Sequence, residues 1–209
     1  PDLGSRPVDT EVVDICRAAA EKLSAAGASV EDSCPDFTGA LDIFQVLRAA
    51  LFVTGRQTLL EEHREALKPE MIWNIEKGMK LTAGEIGRAQ VERAGLCERV
   101  TQWFDNFDVL ACPVAIVPPF DVDIRYVERV GDHAFDNYVD WLYIVAAITL
   151  TGRPAISVPC GFTSSGLPVG LQLVGQPRGE AGLLSMAASA EEIFGLSGQL
   201  PIDPRPGAA

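Results

Sequence analysis

Leu150-Thr-Gly-Arg-Pro-Ala-Ile-Ser-Val-Pro-Cys-Gly-Phe-Thr-Ser-Ser-Gly-Leu-Pro-Val-Gly-Leu-Gln-Leu-Val-Gly175 contains two short apolar runs, Pro154–Pro159 and Pro168–Gly175. Each is rich in Val, Ile or Leu and bounded by Pro or Gly, the pattern of a buried strand. The link between them, Ser164-Ser-Gly166, is short and holds a glycine, so the pair reads as a β-hairpin. A Ser/Gly-rich stretch can hold a nucleophile. Between two strands, however, small residues are what a turn demands, and the turn reading prevails.

Working outward, helices surround this hairpin. Glu180 to Phe194 repeats Leu183, Leu184, Ala187 and Ile193 at helical spacing, and the tail from Ser197, notably 198–209, reads as flexible. Upstream, Phe135 to Ile148 is apolar on most sides and predicts a buried helix, while 115–134 is an irregular excursion rich in Pro, Asp and Arg. Asp108 to Val114 is a further buried strand ended by proline. Thr82-Ala-Gly-Glu85 is a capping-box pattern that starts a helix carrying Ile86, Val91, Leu96, Val100 and Phe104. Pro69 opens a short helix to Met79, and Phe37 to Leu67 reads as one long or broken helix with Gly55 its weak point. Asp9 caps a first helix that stops at Gly27, with a short strand expected over Ala28–Asp32. Helices flanking apolar strands predict an α/β layer fold in one domain.

Composition narrows the classes. The 209 residues are 47% hydrophobic and 22% charged, ordinary for a soluble globular protein. A net charge of −12 repels phosphate backbones and anionic lipid, which argues against nucleic acid and membrane partners. Cys16, Cys34, Cys97, Cys112 and Cys160 are odd in number and form no CxxC pair, so reduced thiols in a cytoplasmic protein fit better than disulfides or a zinc site. No apolar run reaches the roughly 18 residues of a spanning helix, and there is no signal segment. The chain starts at Pro1, in a loop that reads as leaving a strand outside the sequence, the mark of a fragment.

Catalytic chemistry is sparse. His63 lies in a charged helical stretch and His133 in the long loop, and no G-x-S-x-G elbow accompanies either. Lys22, Lys68, Lys77 and Lys80 all fall on polar helix faces with no Ser-x-x-Lys pattern. Asp121, Asp123 and Glu128 interleave with Arg125 and Arg129, which predicts local ion pairing rather than a metal site. Cys160 has no adjacent basic group to activate it and reads as a structural thiol. No cofactor and no metal are expected.

The stretch Leu150–Gly175 strongly resembles the C-terminal region of the amidase-signature family, whose members carry N-L-T-G-x-P-A-x-S-V-P-x-G, then a Gly-Leu-Pro-Val-Gly-Leu-Gln-Leu-Val-Gly strand and a helix near Glu-Ala, here Gly179-Glu-Ala181. More loosely, Pro1–Val12 is similar to the family's link into a helix after its signature region, and Asp108–Val114 to a strand reading D-x-L-L-x-P-T. The resemblance covers nearly the whole chain, thinly over 37–101. It implies an α/β/α layered fold with a mixed sheet flanked by helices, and a Ser-Ser-Lys catalytic unit N-terminal to everything in 1–209. None of those catalytic residues carries over. This chain would then be the C-terminal part that walls the substrate cavity, with the N-terminal catalytic half of the same polypeptide and a small-molecule amide as its partners. Trp141, Val145 and Thr149 share a helical face before Gly152 and are the candidate substrate-binding residues, with core packing as the alternative. Cys112, Val114 and Thr149 depart from the family's usual residues, which puts a polar role there in doubt. A non-catalytic binding or scaffold protein and the amidase subunit of a tRNA-dependent amidotransferase are the other readings. Half of a shared sheet should also leave an apolar face or an unpaired edge, the condition for a homo-oligomer.

Overall fold

The computed structural model describes residues 2–4, 7–196 and 198–199. The tail expected over 198–209 therefore lies outside the described residues, apart from Gly198 and Gln199.

Six α-helices and five strands follow in the order α1 (Thr10–Ala25), α2 (Ala40–His63), α3 (Pro69–Met79), α4 (Ala83–Trp103), β1 (Leu110–Pro113), β2 (Arg129–Val130), β3 (His133–Ala134), α5 (Tyr143–Thr151), β4 (Ala155–Phe162), β5 (Pro168–Val174) and α6 (Glu180–Phe194). The hairpin is present as β4 and β5, antiparallel, with β1 on the far side of β5 and Leu110 opposite Val174. The sheet order is β1-β5-β4, and all its pairings are antiparallel. Alternation along the strands splits the core in two. Val158, Cys160, Val169, Leu171 and Leu173 pack beneath α1 and α6 with Val12, Cys16, Leu183 and Ala187. Leu110, Cys112 and Val174 face the other way, into a cluster with Ile43, Leu96, Val100, Ile144 and Ile148. Helices cover both sides of the sheet, the α/β/α layering expected of this sequence.

The helix ends follow their local chemistry. Asp9 accepts from the Glu11 amide at 2.9 Å, and Thr82 and Glu85 close the capping box reciprocally. The bonds that Glu85 accepts from Thr82 hold its carboxyl below the ordinary pKa of 4.5. A depressed folded pKa stabilises the fold above the unfolded value and is lost as pH falls through the folded one. Glu85→Gln should therefore lower stability near neutrality and lose that penalty in acid, as urea midpoints against pH would reveal. Gly152, at φ +65°, closes α5 in the left-handed conformation.

Three local expectations change, and one open reading, long or broken α2, is decided. Ala28–Asp32 is not a strand. It is exposed throughout, and Val30, at 48% exposure, is its lone large apolar side chain with nothing to pair against. α2 runs unbroken through Gly55, because propagation along 24 residues outweighs one glycine's cost of about 1 kcal/mol. The helix expected from Phe135 begins only as a 3₁₀ turn at Asp140–Leu142. There Asn137 Oδ1 accepts from the Val139 amide and Asp140 Oδ2 from the Asp136 amide, local bonds that compete with helix. Within 115–134, β2 and β3 form a small hairpin around Gly131 at φ +55°.

α3 lies close against α2 at Gly78. A Cβ there would sit 2.2 Å from the Ala49 carbonyl oxygen, a backbone atom that cannot swing aside. Gly78→Ala is expected to cost about 2–3 kcal/mol by overpacking, read as a drop in the urea midpoint. A loss below about 1 kcal/mol would mean that the two helices separate easily.

Candidate substrate groove

Beyond β1 the chain turns away from the sheet as Val114–Phe120, and this segment forms one wall of a groove of about 260 Å³. Pro168, Val169 and Gly170, at the start of β5, form the floor, and Trp141, in the 3₁₀ turn before α5, forms the opposite wall. Phe120 meets Trp141 edge to face, with ring centroids 5.8 Å apart and planes at 76°. Gly170 keeps the floor low: a Cβ on it would stand 3.0 Å from Val114 Cγ1 and 2.5 Å from Ser157 Oγ.

The segment that carries Trp141 is held by a polar network, though the buried indole Nε1 of Trp141 itself has no hydrogen-bond partner among the described residues. The neighbouring Asp140, 3% exposed, accepts from Gln45 Nε2 at 2.9 Å, and Lys77 donates to Gln45 Oε1. Lys77 is thus not on a solvated face. The close approach of α3 to α2 brings it to Gln45, it lies 4.9 Å from the Trp73 ring, and burial lowers its pKa. Asn74 and Arg48 both donate to the Tyr138 hydroxyl, which ties the same segment to α2 and α3.

Of the three sequence candidates, Trp141 lines the groove. Val145 is half-buried and Thr149 exposed on α5, and neither is among the groove's lining residues. Trp141 precedes the α-helix in a 3₁₀ turn, so helical spacing does not carry the face from 141 to 145 and 149. Phe120 and Gly170 were missed as site residues. Phe120 lies in the long loop, its one sequence signal, and Gly170 lies inside a strand with none, since the groove is built by contacts between distant segments.

The remaining candidates fall into structural roles. Ser164-Ser-Gly166 is a turn, with Gly166 at φ +82° and the Ser164 amide donating to Glu11 Oε1 at 2.6 Å. Cys160 is buried under α1 beside Cys16 and donates weakly to the Val169 carbonyl at 3.4 Å. Desolvation pushes the Cys112 thiol up to about 12, the opposite of what a nucleophile needs. Arg125 pairs at 2.5 Å with Glu70 on α3 rather than with its sequence neighbours. His63 lies on the surface near Glu62, and His133 packs edge-on to Phe135. Among the described residues no lysine is hydrogen-bonded to a serine, and no helix is long and apolar enough to cross a membrane.

The sequence profile of the amidase family matches residues 2–184. The chain belongs to the amidase family. It is 28% identical over 211 residues to an acylamidase of Rhodococcus erythropolis, a match covering 97% of this chain and 43% of that protein. It is 31% identical to a glutamyl-tRNA(Gln) amidotransferase subunit of Synechococcus sp. (strain CC9902), over 96% of this chain and 45% of the relative. Among solved structures, a bacterial aryl acylamidase of the amidase signature family superposes with a TM-score of 0.76 at 23% identity, over 96% of this chain and 45% of that one. A 6-aminohexanoate cyclic dimer hydrolase complexed with substrate gives 0.74 at 20%, over 92% and 43%. This amidase-family chain spans less than half the length of these relatives, and both structural matches share its fold.

Proposed function

We propose that this chain is the C-terminal, pocket-forming portion of an amidase that hydrolyses a carboxylic amide to an acid and ammonia or an amine. In this reading the serine nucleophile lies upstream of the chain. The observation that carries it is a groove with Trp141 in its wall in an amidase-family chain that aligns with less than half of each relative. An amide needs an activated nucleophile, a proton donor for the departing amine and donors for the oxyanion. The groove offers shape and apolar surface for those steps but no paired serine and lysine. Trp141 would touch the substrate, and Val145 and Thr149 would be outer contacts along α5. The partner is the N-terminal catalytic half of the same polypeptide, in a cytoplasmic protein whose five cysteines are free.

The test is amide hydrolysis by the 209-residue chain with and without the polypeptide encoded upstream of Pro1. Turnover is expected only with it. Hydrolysis by the chain alone, abolished by changing one of its own side chains, would overturn the reading. The two other readings separate in the same assay. A scaffold protein stays inactive in both forms, and an amidotransferase subunit releases ammonia from glutamine.

The outer edges of β1 and β4 have no strand neighbour among the described residues, and Ala155 and Ser157 on β4 are exposed. Such edges favour pairing with another chain, so self-association of the isolated chain belongs to the same proposal.

A further inference from the structure

The groove's lining fixes the kind of group that can enter it. None of its ten lining residues is charged, and the rings of Pro118, Pro119, Phe120, Trp141 and Pro168 line it together with the small residue Gly170. A carboxylate or ammonium placed there would shed hydration with no counter-charge to replace it. The volume, about 260 Å³, lies below the roughly 300–1,000 Å³ of sites that hold a whole drug-sized ligand. It admits one ring-sized group. Phe120 and Trp141 already sit edge to face, and a third ring can add to such a pair through its own edge or face. Phe120 is 41% exposed, so the pair is open on one side.

We propose that this groove seats an uncharged ring-sized apolar group of the substrate, so that benzamide-like amides are accepted and glutamine, with its charged α-groups, is refused. The proposal rests on the amidase reading for the word substrate, but the binding it describes is measured separately.

The probes are benzamide and L-glutamine, titrated into the ¹⁵N-labelled 209-residue chain. Its three tryptophans give three indole N–H resonances, and Trp141→Phe assigns the one that matters. The Trp141 resonance should shift saturably with benzamide and stay fixed with glutamine. Phe120→Ala, with its fold checked by the amide spectrum of the free chain, should weaken benzamide binding about fivefold, as expected for one aromatic contact of about 1 kcal/mol. No response to benzamide, an equal response to glutamine, or an unchanged affinity in Phe120→Ala would overturn the proposal. The same titration on the chain joined to its upstream polypeptide should retain the benzamide shift. Its loss would show that a protein segment, not a substrate, fills the groove. Ring-selective binding without turnover in the longer protein would sink the amidase reading alone, and turnover indifferent to a ring would sink the groove alone.

Discussion

The isolated 209-residue chain is expected to leave amide bonds intact, and joining it to the N-terminal half that the proposed function requires is expected to raise hydrolysis by at least about 10⁶-fold over background, the lower end of enzymatic acceleration. The size of the effect follows from what the groove contains. An apolar cavity can hold and orient a substrate, but without a change in mechanism that lowers the barrier little for a bond as inert as an amide. No thiol stands in for a serine in the groove: Cys112 is buried with its pKa raised, Cys16 is raised by its hydrogen bond to Cys160 and by burial, and Cys160, which that same bond lowers, is buried in the cluster under α1 and α6 rather than in the groove lining. The half-buried Lys77 is committed to Gln45 rather than to a hydroxyl. A colorimetric ammonia assay on acetamide and benzamide, run on both forms at matched concentration, reads the difference directly. A rate from the short form within tenfold of the long form would remove the need for an outside nucleophile.

Arg153→Ala is expected to lower the unfolding free energy by about 3 kcal/mol, the largest single-residue loss proposed for this fold. Arg153 is 8% exposed and makes no ion pair among the described residues. Instead its guanidinium stacks 4.0 Å from the Phe104 ring and donates to Thr101 Oγ1 at 3.1 Å, Gln176 Oε1 at 3.3 Å and the Gly175 carbonyl at 3.4 Å. One side chain therefore joins the end of α4 to the end of β5. Removing it strips a donor from the buried Gly175 carbonyl and opens a void against Phe104, and each effect alone costs about 1–2 kcal/mol, whereas the exposed Thr101 and Gln176 recover water. Burial lowers the guanidinium pKa, yet an arginine remains charged throughout the accessible range. Arg153→Met, which restores volume without charge or donors, should fall between wild type and alanine. Urea midpoints with unchanged slope would establish the order, and a methionine variant as unstable as alanine would show that packing contributes little.

The order and type of elements were largely legible, because local chemistry set them. The Thr82–Glu85 box, the Asp9 cap and the proline-bounded hairpin each act within a few residues. What stayed hidden depended on contacts between distant segments. Lys77 reads as a surface lysine on its own helix, and only the approach of Gly78 to Ala49 carries it to Gln45. The late start of α5 came from Asn137 and Asp140 bonding locally where apolar content suggested helix. The groove was half visible. Trp141 was reached through the resemblance, which sets the helix before Gly152 near the site, and through helical spacing, whereas Phe120 lay in a loop with no periodicity to single it out.

The placement of β5 between β1 and β4 sets a timetable for synthesis. Leu110 can find Val174 only after the next 64 residues, Val174 included, have been made, which at about 5–20 residues per second takes roughly 3–13 s on a ribosome. During that interval α2, α3 and α4 can already associate, while Leu110–Pro113 waits as a bare apolar ribbon. A nascent-chain binder that shields this ribbon until the hairpin arrives would raise the yield of folded protein, and a slowly translated stretch after residue 113 would lower it.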